Sequence, residues 1–145
     1  MERRQFIGSL TGPVLTACAV CMGACSKGSS SPSSGTTVTV TPPAGVNFTI
    51  DLHSALLTVG SSLVQSGVIV VRLAASDDPG SFTAVQVSCT HEGTSINYNQ
   101  AGNNFVCPNH GSTFTSGGAV TNGPAASALK KYNIAVSGNI LTITG

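Results

Sequence analysis

Between Cys89 and His110 the chain carries Cys-x-His and then, beyond residues 92–106, Cys-x-x-His. Four soft or borderline metal donors in two short clips constrain the fold more than any other feature of the sequence. If they serve one centre, each clip must be a loop. The residues between must then leave the first loop and return to the second. Ile96-Asn97-Tyr98 and Asn104-Phe105-Val106, joined through Gln100–Asn103, suit such a returning hairpin. Each loop would bring one thiolate and one imidazole to a shared point.

The surrounding segments read as strands and turns. Val46, Phe48, Ile50 and Leu52 alternate with Asn47, Thr49 and Asp51, which predicts a strand with one buried face. Gly67–Ala75 is an apolar run that suits a strand buried on both faces, and Phe82–Ser88 leads directly into Cys89. Leu129–Val136 and Asn139–Thr144 flank Ser137-Gly138, which predicts a C-terminal hairpin. Turn clusters fall at Ser76–Gly80, Ala101–Asn103 and Gly117-Gly118. Short strands at this spacing predict an all-β fold, an antiparallel sandwich or barrel. A formal net charge of +1 and 8% charged residues give no basic patch, so nucleic acid is not an expected partner.

The N-terminus reads as an address. Glu2-Arg3-Arg4 precedes an apolar run from Phe6 to Ala24, and a polar stretch follows. Arg3-Arg4-x-Phe6-Ile7 resembles a twin-arginine export motif, with Glu2 and Gly8 as departures. Met22-Gly23-Ala24-Cys25 resembles a lipoprotein processing site, with Cys25 as the lipidated residue; Leu15-Thr16-Ala17-Cys18 is the competing site. An uncleaved membrane anchor is the alternative, weakened by Gly8, Gly12, Pro13 and Gly23. The expected organisation is a signal or anchor over residues 1–25, a Ser/Gly/Pro/Thr-rich linker over 26–45 with one short strand at Thr37–Thr41, and a folded domain over 46–145. Of the five Cys, three fall in the N-terminal segment and two in the clips, which does not read as a disulfide framework.

The paired clips, Gly111-Ser112 after the last His, and Gly123-Pro124-Ala125 together resemble the Rieske 2Fe–2S proteins, over roughly Phe48 to Ile143. The resemblance implies a β-sandwich or barrel base with an inserted cluster-binding subdomain of two ligand loops and a Pro loop. It implies one 2Fe–2S cluster per chain, with Cys89 and Cys107 on one iron and His91 and His110 on the other. With neutral imidazoles the charges of two ferric ions, two sulfides and two thiolates cancel. The family's potentials accordingly run from roughly −150 to +300 mV, against about −400 mV for four-Cys clusters.

The departures from the quinol-oxidising members are specific. Thr94 and Asn109 stand where those proteins have a disulfide between the loops, and Phe114 stands where they have a Tyr donating to sulfur. Ser112 keeps the other donor. Glu92 stands where they have an apolar residue shielding an exposed His ligand. Glu92, Ser112, Phe114 and Pro124 are therefore the expected neighbours of the cluster. A zinc module is the alternative metal reading, although its usual clips are Cys-x2-4-Cys and His-x3-5-His. Covalent c-type haem needs Cys-x-x-Cys-His, which is absent. A Cys–His hydrolase leaves the second pair unexplained. A Rieske oxygenase needs a further two-His-one-carboxylate iron site, for which only His53 remains, and His53 reads as a loop residue. No catalytic residue is expected. The expected function is one-electron transfer on the periplasmic side of a bacterial membrane, tethered by lipid or an N-terminal anchor. The partner would be a cytochrome or quinol-linked protein of the envelope. The alternatives are a subunit of a quinol-oxidising cytochrome bc-type complex, or a structural module with zinc or no metal.

Overall fold

The computed structural model describes residues 38–145. The expected export signal, both candidate lipidation sites and the first part of the linker lie outside the described residues. The described chain is all-β, with ten strands and one 3-10 turn at Pro79–Ser81. The strands are β1 (Asn47–Asp51), β2 (Ser62–Gln65), β3 (Val68–Arg72), β4 (Phe82–Gln86), β5 (Asn97–Asn99), β6 (Asn104–Val106), β7 (Thr113–Thr115), β8 (Val120–Asn122), β9 (Asn133–Ser137) and β10 (Ile140–Thr144). They form three antiparallel sheets, ordered β1-β10-β9, β2-β3-β4 and β5-β6-β7-β8.

The alternation of β1 is realised as expected. Phe48 and Ile50 are buried within it, as are Val46 and Leu52 at its ends, and they face Ile143 and Leu141 of β10. The C-terminal hairpin turns through Gly138-Asn139, one residue later than the Ser137-Gly138 expected, because Ser137 still pairs with Ile140. Gly138 takes the left-handed conformation there, at φ 59°. β2 carries no alternation signal, since Leu63 is half-buried and Val64 exposed. What marks its hairpin with β3 is Ser66-Gly67, both at positive φ (52° and 75°), as a two-residue type I′ turn requires.

β3 and β4 are buried along their whole length and form a wall between two apolar cores. Val68 and Val70 of β3, with Phe82 and Ala84 of β4, face a core completed by β1, β10 and Tyr132. Ile69 and Val71, with Val85 and Val87, face the other way, toward Ile96, Phe105, Phe114, Ala125 and Leu129. Cys89 and Cys107 belong to this second core, so the wall delivers the first clip directly to the site.

One expectation is corrected. No strand forms over Val38–Thr41 among the described residues, and Thr37 lies outside them. The following Pro42 and Pro43 donate no amide hydrogen to a ladder. The segment instead lies against the domain through side-chain contacts.

Candidate metal centre

Two loops of one design carry the clips. In the first, the Cys89 amide donates to the Thr94 carbonyl at 2.8 Å and the Gly93 amide donates back to the Cys89 carbonyl at 2.8 Å. In the second, Cys107 donates to Ser112 at 2.8 Å and Gly111 to Cys107 at 3.0 Å. Gly93 and Gly111 close the loops at φ 79° and 74°, where a Cβ would cost about 1–2 kcal/mol. The loops differ in the position of the His, two residues after the Cys in the first and three after it in the second. The β5–β6 hairpin expected between them brings them together.

This backbone turns the thiols inward and the imidazoles outward. Cys89 is fully buried and Cys107 nearly so, and both are free thiols. His91 is half-buried and the His110 side chain is 42% exposed. Their Nδ1 atoms face each other at 3.2 Å, with the rings edge to face at 84°. The two imidazole nitrogens form one close pair, and the Cys89 and Cys107 thiols, which neighbour each other, form a second on the same two loops.

Electrostatics explain why such a set calls for a cation. Burial pushes the Cys89 thiol up from its ordinary value, and the neighbouring Cys107 adds to this. The backbone N–H of His91 and the Ser112 hydroxyl act the other way by donating toward the sulfur. Ser112 is itself buried, and its oxygen accepts the Ala125 amide at 3.0 Å, which leaves its proton for Cys89. Deprotonating both thiols in this pocket requires a compensating positive charge, which metal binding supplies.

Single hydrogen bonds tie the loops where no covalent staple exists. Asn109 Nδ2 donates to Glu92 Oε2 at 3.2 Å, joining the second loop to the first. Thr90 Oγ1 donates to the Ser127 carbonyl at 2.6 Å, joining the first loop to the segment after Pro124. Asn122 Nδ2 reaches the carbonyls of Gly111 at 3.3 Å and Gly123 at 3.1 Å, joining the second loop to the end of β8 just before Pro124. Pro124 is exposed and follows a cis bond from Gly123. Phe114 is fully buried in the core that holds both Cys.

The four candidate ligands thus lie on two adjoining loops as a thiol pair and an imidazole pair, with Ser112 beside Cys89 and Glu92 beside the imidazoles. The Glu92 carboxylate lies 3.6 Å from His110 Nδ1, and the ligand atoms of His91, Glu92 and His110 all fall within 4.8 Å of one another, so the carboxylate stands beside both imidazoles. His53 is apart, exposed at the end of β1 with its amide on the Asp51 carboxylate. Thr90, Asn122 and Ala125 escape sequence reasoning because their partners lie on other loops. The donor set present fits a cluster held by two Cys and two His.

Comparison with known proteins agrees. Residues 51–133 match the family described as the Rieske [2Fe-2S] domain. A cytochrome b6-f complex iron-sulfur subunit of Prochlorococcus marinus is 40% identical over 77 residues, which are 52% of this chain and 43% of that protein. The chain thus spans less than half the length of the curated relatives it matches. Among solved structures, one described as a hyperthermophilic respiratory Complex III aligns at 25% identity and a TM-score of 0.52, over 64% of this chain and 71% of that one. The ferredoxin of a carbazole 1,9a-dioxygenase from Nocardioides aromaticivorans shares the fold at 21% identity and a TM-score of 0.52, covering 72% of this chain and 98% of the ferredoxin.

Proposed function

The chain belongs to the Rieske [2Fe-2S] domain family, and from that premise we propose that it is a one-electron carrier whose 2Fe–2S cluster is held by Cys89, Cys107, His91 and His110. The observation that carries the assignment is the pair of Nδ1 atoms 3.2 Å apart on the same two loops that hold two buried free thiols. When bound, the cluster accepts and returns a single electron at a potential that its mixed ligands raise. The chain's own residues do the rest. Cys89 and Cys107 supply the anionic donors from a pocket closed to water. The His91 amide and the Ser112 hydroxyl stabilise charge on the Cys89 sulfur. The imidazoles of His91 and His110 reach the surface and form the face through which an electron leaves the domain.

The partner is a redox protein of the cell envelope, either a cytochrome or a quinol-linked complex. Export by the twin-arginine route and anchoring through Cys25 would place the domain on the periplasmic side of a membrane, and the chain acts as a carrier rather than a catalyst. Support comes from Arg3-Arg4-x-Phe6-Ile7 and from the small residues before Cys25. Membership of a quinol-oxidising complex is the weaker reading. Thr94 and Asn109 leave the loops without a covalent staple, and Glu92 sets a carboxylate beside His110.

Iron and acid-labile sulfide analysis of the purified full chain, with a paramagnetic spectrum of the reduced protein, tests the proposal. Equal iron and sulfide with a reduced-state signal is the expected result. Zinc without sulfide, or a Cys107→Ala chain that keeps its full iron, would overturn it.

A further inference from the structure

The segment ahead of the first strand has the composition of a tether, yet its last part is built into the domain. The Pro43 carbonyl accepts the Tyr132 hydroxyl at 2.8 Å and the Lys130 ammonium at 3.2 Å. Pro43 also packs over Gly67, where a Cβ would approach its ring to 2.6 Å. From there the chain does not leave the molecule. Val38, Thr39, Val40 and Pro42 line a cleft of about 400 Å³ with Thr90, Ser127 and Lys130. A methyl carbon of Val40 stands over the open side of Gly93, 3.8 Å from where a Cβ would lie. Thr90 and Gly93 flank His91 and Glu92, and Thr90 is bonded to Ser127 on the far wall of the same cleft.

We propose that Val38–Pro43 is a strap that backs the first ligand loop, so that the N-terminal part of the chain joins the domain at its cluster end. The strap positions the loop through Val40 beside Gly93, and the two hydrogen bonds accepted by the Pro43 carbonyl hold its other end. The geometry has a consequence for reach. Residues 38–44 would span about 24 Å if extended, and docking removes that length from any linkage to an anchor. Val38, the first described residue, therefore lies on the side of the domain that carries the first ligand loop.

The test uses the cluster-loaded full chain, with Val40→Ser and Tyr132→Phe made singly and together. Hydrogen exchange at the Cys89 and Gly93 amides, which close the first loop, reads the strap directly. Losing one hydrogen bond of ordinary strength raises local opening about fivefold. Faster exchange at these two amides by about that factor in each single variant, with the Cys107 and Gly111 amides unchanged, is the expected result. Thermolysin cleavage before Val38 and Val40 should be slow in the parent and rapid in the double variant. Equal exchange at Cys89 and Gly93 in all four chains, or rapid cleavage of the parent, would overturn the strap. Val40→Ser is a surface change and carries the test alone if Tyr132→Phe disturbs the base. Iron and sulfide content, measured alongside, shows separately whether the cluster assignment stands.

Discussion

The two cores on either side of the β3–β4 wall are built to different standards. On the base side the strands are four or five residues long and run in unbroken register from Asn47–Thr144 to Asp51–Ile140. Every side chain in that core except Tyr132 is an ordinary hydrocarbon. Its longest loops are pinned by a buried charge, for the Arg72 guanidinium donates to the carbonyls of Leu56 and Ala75 and to the Asp77 carboxylate. On the cluster side the strands are three residues long, the register shifts between Thr113 and Phe114, and neutral side chains make most of the ties between loops. Two thiols take the place of methyl groups in its core. The difference teaches that the base is a self-sufficient apolar fold, whereas the cluster side is complete only with the group it holds.

The largest effect expected from this contrast is on Cys107. Cys107→Ala should abolish cluster assembly while leaving β1 and β10 protected from hydrogen exchange. Iron analysis and exchange on the same sample check both halves, and loss of protection in β10 would break the comparison. Next in size, Leu141→Ala in the base should cost about 2–5 kcal/mol in denaturant unfolding, yet the chain should still bind iron and sulfide. Third, Ser112→Ala should lower the reduction potential and Phe114→Tyr raise it, each by about 60 mV, because a charge-assisted hydrogen bond to sulfur is worth about 1.5 kcal/mol. Voltammetry decides, and a fixed potential in Ser112→Ala would remove the hydroxyl from the cluster's surroundings.

A pH effect should separate the two sides in the cluster-free chain. Burial raises the Cys89 thiol above its ordinary value of 9.0, so the folded state favours the protonated form. The stability this lends is complete below that ordinary value and is lost as pH rises through the raised one. Thermal melts from neutral to alkaline pH should fall in the parent and stay flatter in Cys89→Ser, where the thiol is gone. The smallest change expected is Thr90→Val, which removes one exposed tie and should loosen the first loop by about 1 kcal/mol. Exchange at the Gly93 amide measures it.

The base was largely legible because each of its signals is local. One-face burial of β1 appears as alternation, two-face burial of β3 as an apolar run, and the C-terminal hairpin as a turn dipeptide placed one residue early. The proposed ligands stood out in the sequence because Cys and His are scarce in this chain and their spacing is tight. What the pattern hid depends on contacts between distant segments. β2 is mostly exposed and leaves its evidence only in Ser66-Gly67. Val38–Pro43 has the composition of a linker, and its partners, among them Gly67, Lys130 and Tyr132, lie far along the chain. The approach of Glu92 to His110, on the other loop, follows from two loops meeting, which no spacing within either loop records.

The wall strand β3 has a consequence for how such a domain can diverge. Its alternate residues belong to different cores, Val68 and Val70 to one, Ile69 and Val71 to the other. Substitutions at even and odd positions are therefore screened by different requirements, one set by folding and the other by the redox centre. Changes at the odd positions repack the core that holds Cys89 and Cys107, while those at the even ones are limited to the volume the base allows. One five-residue strand thus holds two independently heritable records.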